Sequence, residues 1–344
     1  MEICCIPRRF PPMIPRLDRV PAFGSATVRC SALPNSENSG ELSMGDRMFV
    51  LGTGFVGRFV AAELKTRGWA VSGSCTSAAK KKMLEDLGHH SYLFDANNPE
   101  DEILEILKNH THLIISIPPV VGIGDPMLRH RGLLEGILSS GRIQWLAYLS
   151  STSVYGDYGG SWVDEDYPPK PVSEVARARL AAEEEWLRLG QNLSIAAHVF
   201  RLGGIYGPGR SAVDTILKQE HLSDGQKTRL LKSYTSRIHV ADIFQALHAS
   251  ILRPSPGKIY NIVDDDPAPR AEVFEYAKKL VKKNLPGHLK INACPEIAEP
   301  LPIQKTAMGE KRVSNARMKK ELGVNLLHPS YRSGLRSIIE QMNR

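Results

Sequence analysis

Nowhere in the 344 residues does an apolar run approach the ~20 residues that a membrane-spanning helix needs, so no membrane partner is expected. Cysteine is scarce. Cys4, Cys5, Cys30, Cys75 and Cys294 form no CxxC pair and stand at no metal-ligand spacing with histidine. That argues against a disulfide framework or a zinc site and points to a reducing compartment. A long basic stripe is missing as well. The formal charge is +7, but residues 1–30 carry five arginines (Arg8, Arg9, Arg16, Arg19, Arg29) against Glu2 and Asp18, leaving 39 basic and 35 acidic residues elsewhere. That balance, without interleaved aromatics, argues against a nucleic-acid partner. No unit of 20–50 residues repeats, which argues against a solenoid or propeller.

Residues 1–45 are rich in Arg, Pro and Ser, poor in acids, and lack the continuous apolar stretch of a secretory signal. That composition suits an organellar transit peptide. Val28-Arg29-Cys30-Ser31-Ala32 resembles the processing site of chloroplast transit peptides, so a leader removed near Cys30 and a stromal destination are expected. A disordered tail without a targeting role is the plainer alternative.

From Arg47 the pattern changes. Met48–Leu51 has the length and apolarity of a strand, Gly-Thr-Gly follows, Val56–Arg67 is amphipathic, and Ala70–Ser74 reads as the next strand. Helices at Ala78–Leu87, Asp101–Lys108, Met127–Ser139 and Ser173–Leu189 alternate with strands at Ser91–Phe94, Leu113–Ile117, Trp145–Ser150 and Ser194–Arg201. Repeated strand–helix units with nearly continuous apolar strands predict an α/β fold, a doubly wound parallel sheet of the Rossmann kind, over residues 46–202. After Leu202 the alternation loosens. Gly203–Arg210 reads as a glycine-rich loop, Val240–Ile251 as a helix, Ile259–Ile262 as a strand, and Ala271–Lys283, Asn315–Leu322 and Tyr331–Met342 as helices. Residues 203–344 are therefore expected to supply the remaining sheet edge and a small substrate lobe.

Gly52-Thr53-Gly54-Phe55-Val56-Gly57 is GxGxxG placed directly after a strand and opening a helix. The first glycine permits the tight turn, the second lets a diphosphate approach the backbone, and the third lets helix and strand pack closely. The helix then presents its free N–H groups and positive end to the phosphates. All six residues are expected to bind a dinucleotide. NAD-binding chains place an Asp or Glu at the end of the second strand for the ribose hydroxyls. Here the segment is Ser74-Cys75-Thr76-Ser77, with Lys80 and Lys81 just beyond. Hydroxyls and lysines tolerate a 2′-phosphate, so NADP is favoured over NAD, with Thr76 and Ser77 beside the ribose. Asp95, after the third strand, is a candidate for the adenine, or an ordinary turn aspartate.

Several further segments occur in order: Leu149-Ser150-Ser151-Thr152-Ser153-Val154-Tyr155-Gly156, Asp164-Glu165-Asp166 leading to Pro171, Phe200-Arg201-Leu202, Tyr206-Gly207-Pro208, Arg237-Ile238-His239-Val240-Ala241-Asp242 and Tyr260-Asn261-Ile262. Together with the glycine turn they resemble the extended short-chain dehydrogenase/reductases, which include NAD-dependent epimerases and dehydratases, over roughly residues 48–340. The resemblance implies a Ser or Thr that binds the substrate oxygen, a Tyr that transfers the proton, and a Lys four residues later that holds the nicotinamide ribose. It also implies a homodimer, since members often pair through four helices.

Ser151 matches the Ser/Thr position, but Val175 falls in the tyrosine slot and Arg179 in the lysine slot. None of the ten tyrosines has a lysine four positions on. Valine has no proton to give, whereas arginine keeps the charge and can bond ribose hydroxyls with a different fork. Tyr158, Tyr167 and Glu174 are substitute acids on paper; each is also an ordinary surface residue. Nucleotide-sugar enzymes of the family place an arginine three residues before the Ile-His-Val segment, and here that residue is Thr235. His239 and Asp242 read as fold-stabilising hydrogen-bonders. Two functions stay open: an NADP-linked oxidoreductase or epimerase-like enzyme acting on an unidentified small carbonyl or sugar-derived substrate, with Ser151 as the catalytic residue, and a noncatalytic cofactor-binding sensor or scaffold.

Overall fold

Alternate side chains of a strand leave opposite faces, and β1 (Arg47–Leu51) uses both. Met48 and Val50 enter one apolar cluster, Phe49 and Leu51 another, and none is more than 1% exposed. A strand buried on both sides belongs inside a parallel sheet with helices on each face. The computed structural model describes residues 45–98, 101–218, 233–285 and 310–343. After β1 come α1 (Phe55–Thr66), β2 (Ala70–Cys75), α2 (Ala78–Asp86), β3 (His90–Leu93), α3 (Asp101–Leu107), β4 (His112–Ile115), α4 (Arg131–Ser140), β5 (Trp145–Ser151), β6 (Trp162–Val163), α5 (Glu174–Asn192) and β7 (Ala196–Leu202). The chain continues through β8 (Gly204–Tyr206), α6 (Ala212–Lys218), β9 (Arg237–His239), α7 (Val240–Leu252), β10 (Ile259–Ile262), α8 (Arg270–Asn284), β11 (Arg312–Val313), α9 (Ala316–Leu322) and α10 (Tyr331–Met342).

Seven strands form one parallel sheet in the order β10-β7-β5-β4-β1-β2-β3. This is the doubly wound α/β architecture that the alternation predicts. Strand order reverses between β1 and β4, and the crevice outside the carboxyl ends of those strands is where such sheets take ligands. A separate apolar cluster gathers Tyr206, Val213, Val273, Ala277, Tyr331, Leu335 and Ile338 from β8, α6, α8 and α10.

The differences from expectation are local. The helix expected over Met127–Ser139 is divided, because Asp125 Oδ1 accepts the N–H groups of Met127 (2.9 Å) and Leu128 (3.4 Å) and holds Leu128–His130 as a 3-10 turn before α4. The glycine-rich loop contains β8, paired in parallel with β9. Strands of two or three residues are too short to carry a period. Apart from its last residue, the expected leader over residues 1–45 lies outside the described residues, as does most of the proline-containing segment after Lys283.

Two buried polar arrangements hold the sheet. On α5, Glu183 accepts from Ser150 Oγ at 2.5 Å and from Arg201 at 3.1 Å (Nε) and 2.8 Å (Nη2); the two charged side chains are 1% and 3% exposed. Arg201 also lies 4.8 Å from the Tyr155 ring centroid, and the Tyr155 hydroxyl donates to Asn261 Oδ1 at 2.9 Å. Three strands and a helix are thereby tied together. On the opposite face a ladder of rings crosses the sheet: Trp69–His112, His112–Trp145, Trp145–His198 and His198–Phe200, with centroids 4.8–6.2 Å apart. His198 Nε2 accepts the Ser255 N–H at 3.0 Å, which requires an unprotonated nitrogen. Burial lowers both His112 and His198 from the ordinary 6.5 to about 4.

Removing the carboxylate in Glu183→Ala leaves Arg201 buried and unpaired, and should cost about 3–5 kcal/mol, read from the urea midpoint; a loss below 1 kcal/mol would contradict the pairing. The histidines set a second test. Above pH 6.5 they are neutral in both states and contribute no pH dependence. Between 6.5 and 4 the unfolded chain takes up protons that the folded chain refuses, so stability should fall by about 1.4 kcal/mol per pH unit for each histidine. Urea unfolding at pH 7.5, 6 and 5 measures the slope, and His198→Gln should flatten it by about one proton's worth.

Candidate functional site

The glycine turn is built as its spacing requires. Gly52 has φ +92°, a region that disfavours side chains, and a Cβ there would press on Ile117 and Ser116 at 3.2–3.3 Å. A Cβ on Gly57 would stand 2.8 Å from the Gly52 carbonyl oxygen and 2.9 Å from Val50 Cγ1, so helix and strand close tightly only without one. At Gly54 a Cβ would meet nothing within 4 Å: the second glycine borders open space. Gly54 is also the N-cap of α1, which has no side-chain cap and no acid in its first turn.

Thr53 corrects the expectation that all six turn residues face a ligand. It is 2% exposed, and both its N–H (2.8 Å) and its Oγ1 (2.9 Å) donate to the Ser74 carbonyl. Ser74 Oγ in turn accepts the Gly52 N–H at 2.9 Å. Thr53 therefore pins the turn to β2, and Gly73 must lack a side chain because its Cβ would fall 2.4 Å from Thr53 Oγ1. Val56 and Gly57 are buried, and Phe55 is half-buried at the first residue of the helix. At the end of β2, Thr76 and Ser77 are exposed; Ser77 Oγ caps α2 by accepting the Lys80 N–H at 3.3 Å. Asp95 is exposed and accepts the backbone N–H of Asn97 at 2.9 Å, the ordinary turn role.

Ser151 ends β5 at the carboxyl edge, half-buried, in register with Leu202 of β7. Its Oγ accepts the Ser153 N–H at 3.2 Å, which leaves its proton available to donate. Val175 is 40% exposed and Arg179 half-buried, one turn apart on α5. The substitute acids are placed unfavourably. Tyr158 donates its hydroxyl to the Pro168 carbonyl at 2.5 Å and carries Lys170 on its ring, while Tyr167 packs edge-on against it with centroids 5.7 Å apart. Glu174 is exposed in the first turn of α5, where the helix dipole favours a carboxylate. His239 Nδ1 accepts the Ala241 N–H at 3.2 Å, and Asp242, fully buried, accepts the N–H groups of Leu327 (2.6 Å) and His328 (3.1 Å), in keeping with their structural roles.

What the motifs missed is a basic cavity. About 440 Å³ in volume, it lies between the β8–α6 segment, β9, α8 and α10, and presents Arg210, Lys218, Arg237 and Arg270 with a single acid, Asp214. That acid is occupied by Ser211, whose Oγ donates to it at 2.5 Å. Arg237 is fixed by donating to the carbonyls of Asp266 (3.3 Å) and Ala268 (2.8 Å); burial lowers its pKa, and Asp264 nearby opposes the shift. Burial likewise holds the Asp264 carboxyl well above the usual carboxylate range, with Arg237 acting against it. The arginines are 27 and 33 residues apart along the chain and share no motif; only the packing of the last helices brings them together. Such a cavity is suited to an anionic group.

The model of the NAD dependent epimerase/dehydratase family matches residues 127–263. Protein YeeZ of Escherichia coli K12 is 30% identical over 223 residues, which cover 63% of this chain and 77% of YeeZ. A functionally unknown conserved protein from Silicibacter pomeroyi has a solved structure 34% identical to this chain, with a TM-score of 0.70, covering 86% of this chain and 99% of its own. The fold alone extends further: UDP-glucuronic acid 4-epimerase of Bacillus cereus, solved with UDP-glucuronic acid and NAD, is 18% identical at a TM-score of 0.64, over 86% of this chain and 99% of its own. With a glycine turn at the switch point, a serine at the end of β5 and relatives matched over most of their length, the chain belongs to the NAD-dependent epimerase/dehydratase family, among the extended short-chain dehydrogenase/reductases.

Proposed function

We propose that the protein is an NADP-linked oxidoreductase or epimerase-like enzyme acting on a small carbonyl or sugar-derived substrate that carries an anionic group. The observation that carries this reading is Gly54: an uncapped helix entrance at the sheet's switch point, with open space where a side chain would stand. Those are the features a dinucleotide diphosphate requires. The bound nicotinamide would supply a hydride acceptor or donor. The absence of a carboxylate at Ser74–Ser77 and the exposed hydroxyls of Thr76 and Ser77 support NADP over NAD.

Ser151 donates its hydroxyl proton to the substrate carbonyl oxygen, and solvent restores it, since Val175 cannot. Arg179 holds ribose hydroxyls in place of the family's lysine. The cavity between β9, α8 and α10, with Arg237 and Arg270 in its lining, receives the anionic end of the substrate. Kinship with epimerases and dehydratases supports the enzyme over the noncatalytic scaffold. The pairing habit of the family supports a homodimer, and the composition of residues 1–45 supports a chloroplast destination.

Calorimetric titration should show NADPH binding more tightly than NADH. Gly54→Ser is the sharpest variant, because serine is a good N-cap and would consume the N–H groups meant for phosphate. It should leave the unfolding midpoint unchanged or raise it while weakening NADPH at least about tenfold. Affinity for neither coenzyme would overturn the proposal. In a carbonyl-substrate screen that follows NADPH oxidation, Ser151→Ala should lower turnover about a hundredfold; tight binding with no turnover on any substrate would instead mark a scaffold.

A further inference from the structure

Arg210 is a cation whose position the substrate cavity alone does not explain. It closes a tight turn in which the Gly207 N–H donates to the Arg210 carbonyl at 3.1 Å and the Arg210 N–H to the Gly207 carbonyl at 3.0 Å. The turn is seated against the start of α1: a Cβ on Gly207 would lie 3.2 Å from Phe55 Cζ and 2.7 Å from Val240 Cγ1. From this fixed backbone the guanidinium lies 5.3 Å from the centroid of the Phe55 ring. Phe55 is the first residue of α1 and belongs to the glycine turn.

Four other arginines near the strand ends are committed. Arg201 is paired with Glu183, Arg237 with two carbonyls, Arg317 with Glu165 and Asp166, and Arg332 with Asp266 and Glu272. Arg210 is exposed and meets no acid among the described residues; its one partner there is an aromatic face. That contact is weak and readily exchanged for a charge-assisted bond to an oxyanion. The opposite wall has no charge of its own, since Gly52–Gly57 contains no ionisable residue. Moreover, the N–H groups of Thr53 and Gly54 are spent, on the carbonyls of Ser74 and Gly52 at 2.8 Å each. A diphosphate bringing two negative charges would meet a helix dipole and few free amides, with a parked cation beside them.

We propose that Arg210 is a diphosphate clamp, leaving the Phe55 ring to close over the coenzyme's diphosphate from the turn after β8. This rests on the coenzyme reading above and extends it to a residue outside the glycine motif. Wild-type full-length protein, Arg210→Gln and Arg210→Lys would be titrated with NADPH, ADP-ribose and adenosine 2′-monophosphate, which lacks the diphosphate. Arg210→Gln should weaken NADPH and ADP-ribose about tenfold while leaving adenosine 2′-monophosphate unchanged. Arg210→Lys should recover only part of the loss, because an ammonium lacks the two-pronged fork. An unchanged unfolding midpoint excludes a folding defect as the cause. If Arg210→Gln binds NADPH as tightly as wild type, the clamp is wrong and the coenzyme reading stands. Equal weakening of adenosine 2′-monophosphate would also overturn it, by assigning Arg210 to the 2′-phosphate or to a general field. Failure of wild type to bind any coenzyme would remove both proposals at once.

Discussion

Ser74 holds the site in place. Its carbonyl takes two hydrogen bonds from Thr53 and its hydroxyl a third from Gly52, so the glycine turn hangs from β2 as well as from the end of β1. A turn of three glycines and a threonine has many conformations open to it in the unfolded chain, and fixing it costs entropy. Buried hydrogen bonds to a neighbouring strand restrict it to the one shape in which α1 points at the switch point. Gly73 belongs to the same device, because Thr53 Oγ1 occupies the space its side chain would need. The shape of the turn thus depends on residues buried behind it, and at position 74 a hydroxyl, not a carboxylate, serves that end.

The electrostatics are divided between two neighbouring regions. The glycine turn offers oriented dipoles without formal charge, and the cavity between β9, α8 and α10 offers formal charge with its one acid already bonded. Arg237 shows why the cavity cations are not interchangeable. Its guanidinium is largely consumed in holding the Asp266–Ala268 turn, so it contributes field more than ligation. Arg210, on an exposed turn, retains its donors. The Phe55 ring lies between the two regions, close enough to Gly207 that the turn of the second abuts the helix of the first.

Much of this was legible in the sequence because it is local. β1, α1, β2 and the glycine turn depend on residues within thirty positions of one another, and apolar runs with glycine stops place them within a residue or two. The serine at the end of β5 and the vacant tyrosine slot were readable only through the family resemblance, which supplies the slots onto which residues are counted. The inward rotation of Thr53 was not: nothing in GxGxxG distinguishes a threonine facing phosphate from one bonded to the next strand. β6, β8, β9 and β11 escaped because two or three residues carry no period. The cavity was illegible for a different reason. Its arginines come from separate elements and converge only after three helices pack around Tyr206, Tyr331 and Leu335.

The geometry of α5 bears on the missing proton donor. Val175, Arg179 and Glu183 are spaced by four and share one helical face, and they pass from 40% exposed through half-buried to fully buried. Helix and strands run in opposite directions, so this gradient rises toward the carboxyl edge of the sheet. Glu183, held by Ser150 and Arg201, fixes the helix along its axis; residue 179 then stands one turn nearer the edge and residue 175 two turns nearer. Here α5 runs unbroken through both slots, with valine at 175 and arginine at 179. On the proposed reading the departure from the family's chemistry therefore lies at two positions of one helical face, the phenol replaced by Val175 and the lysine by Arg179, and the proton falls to Ser151 at the end of β5.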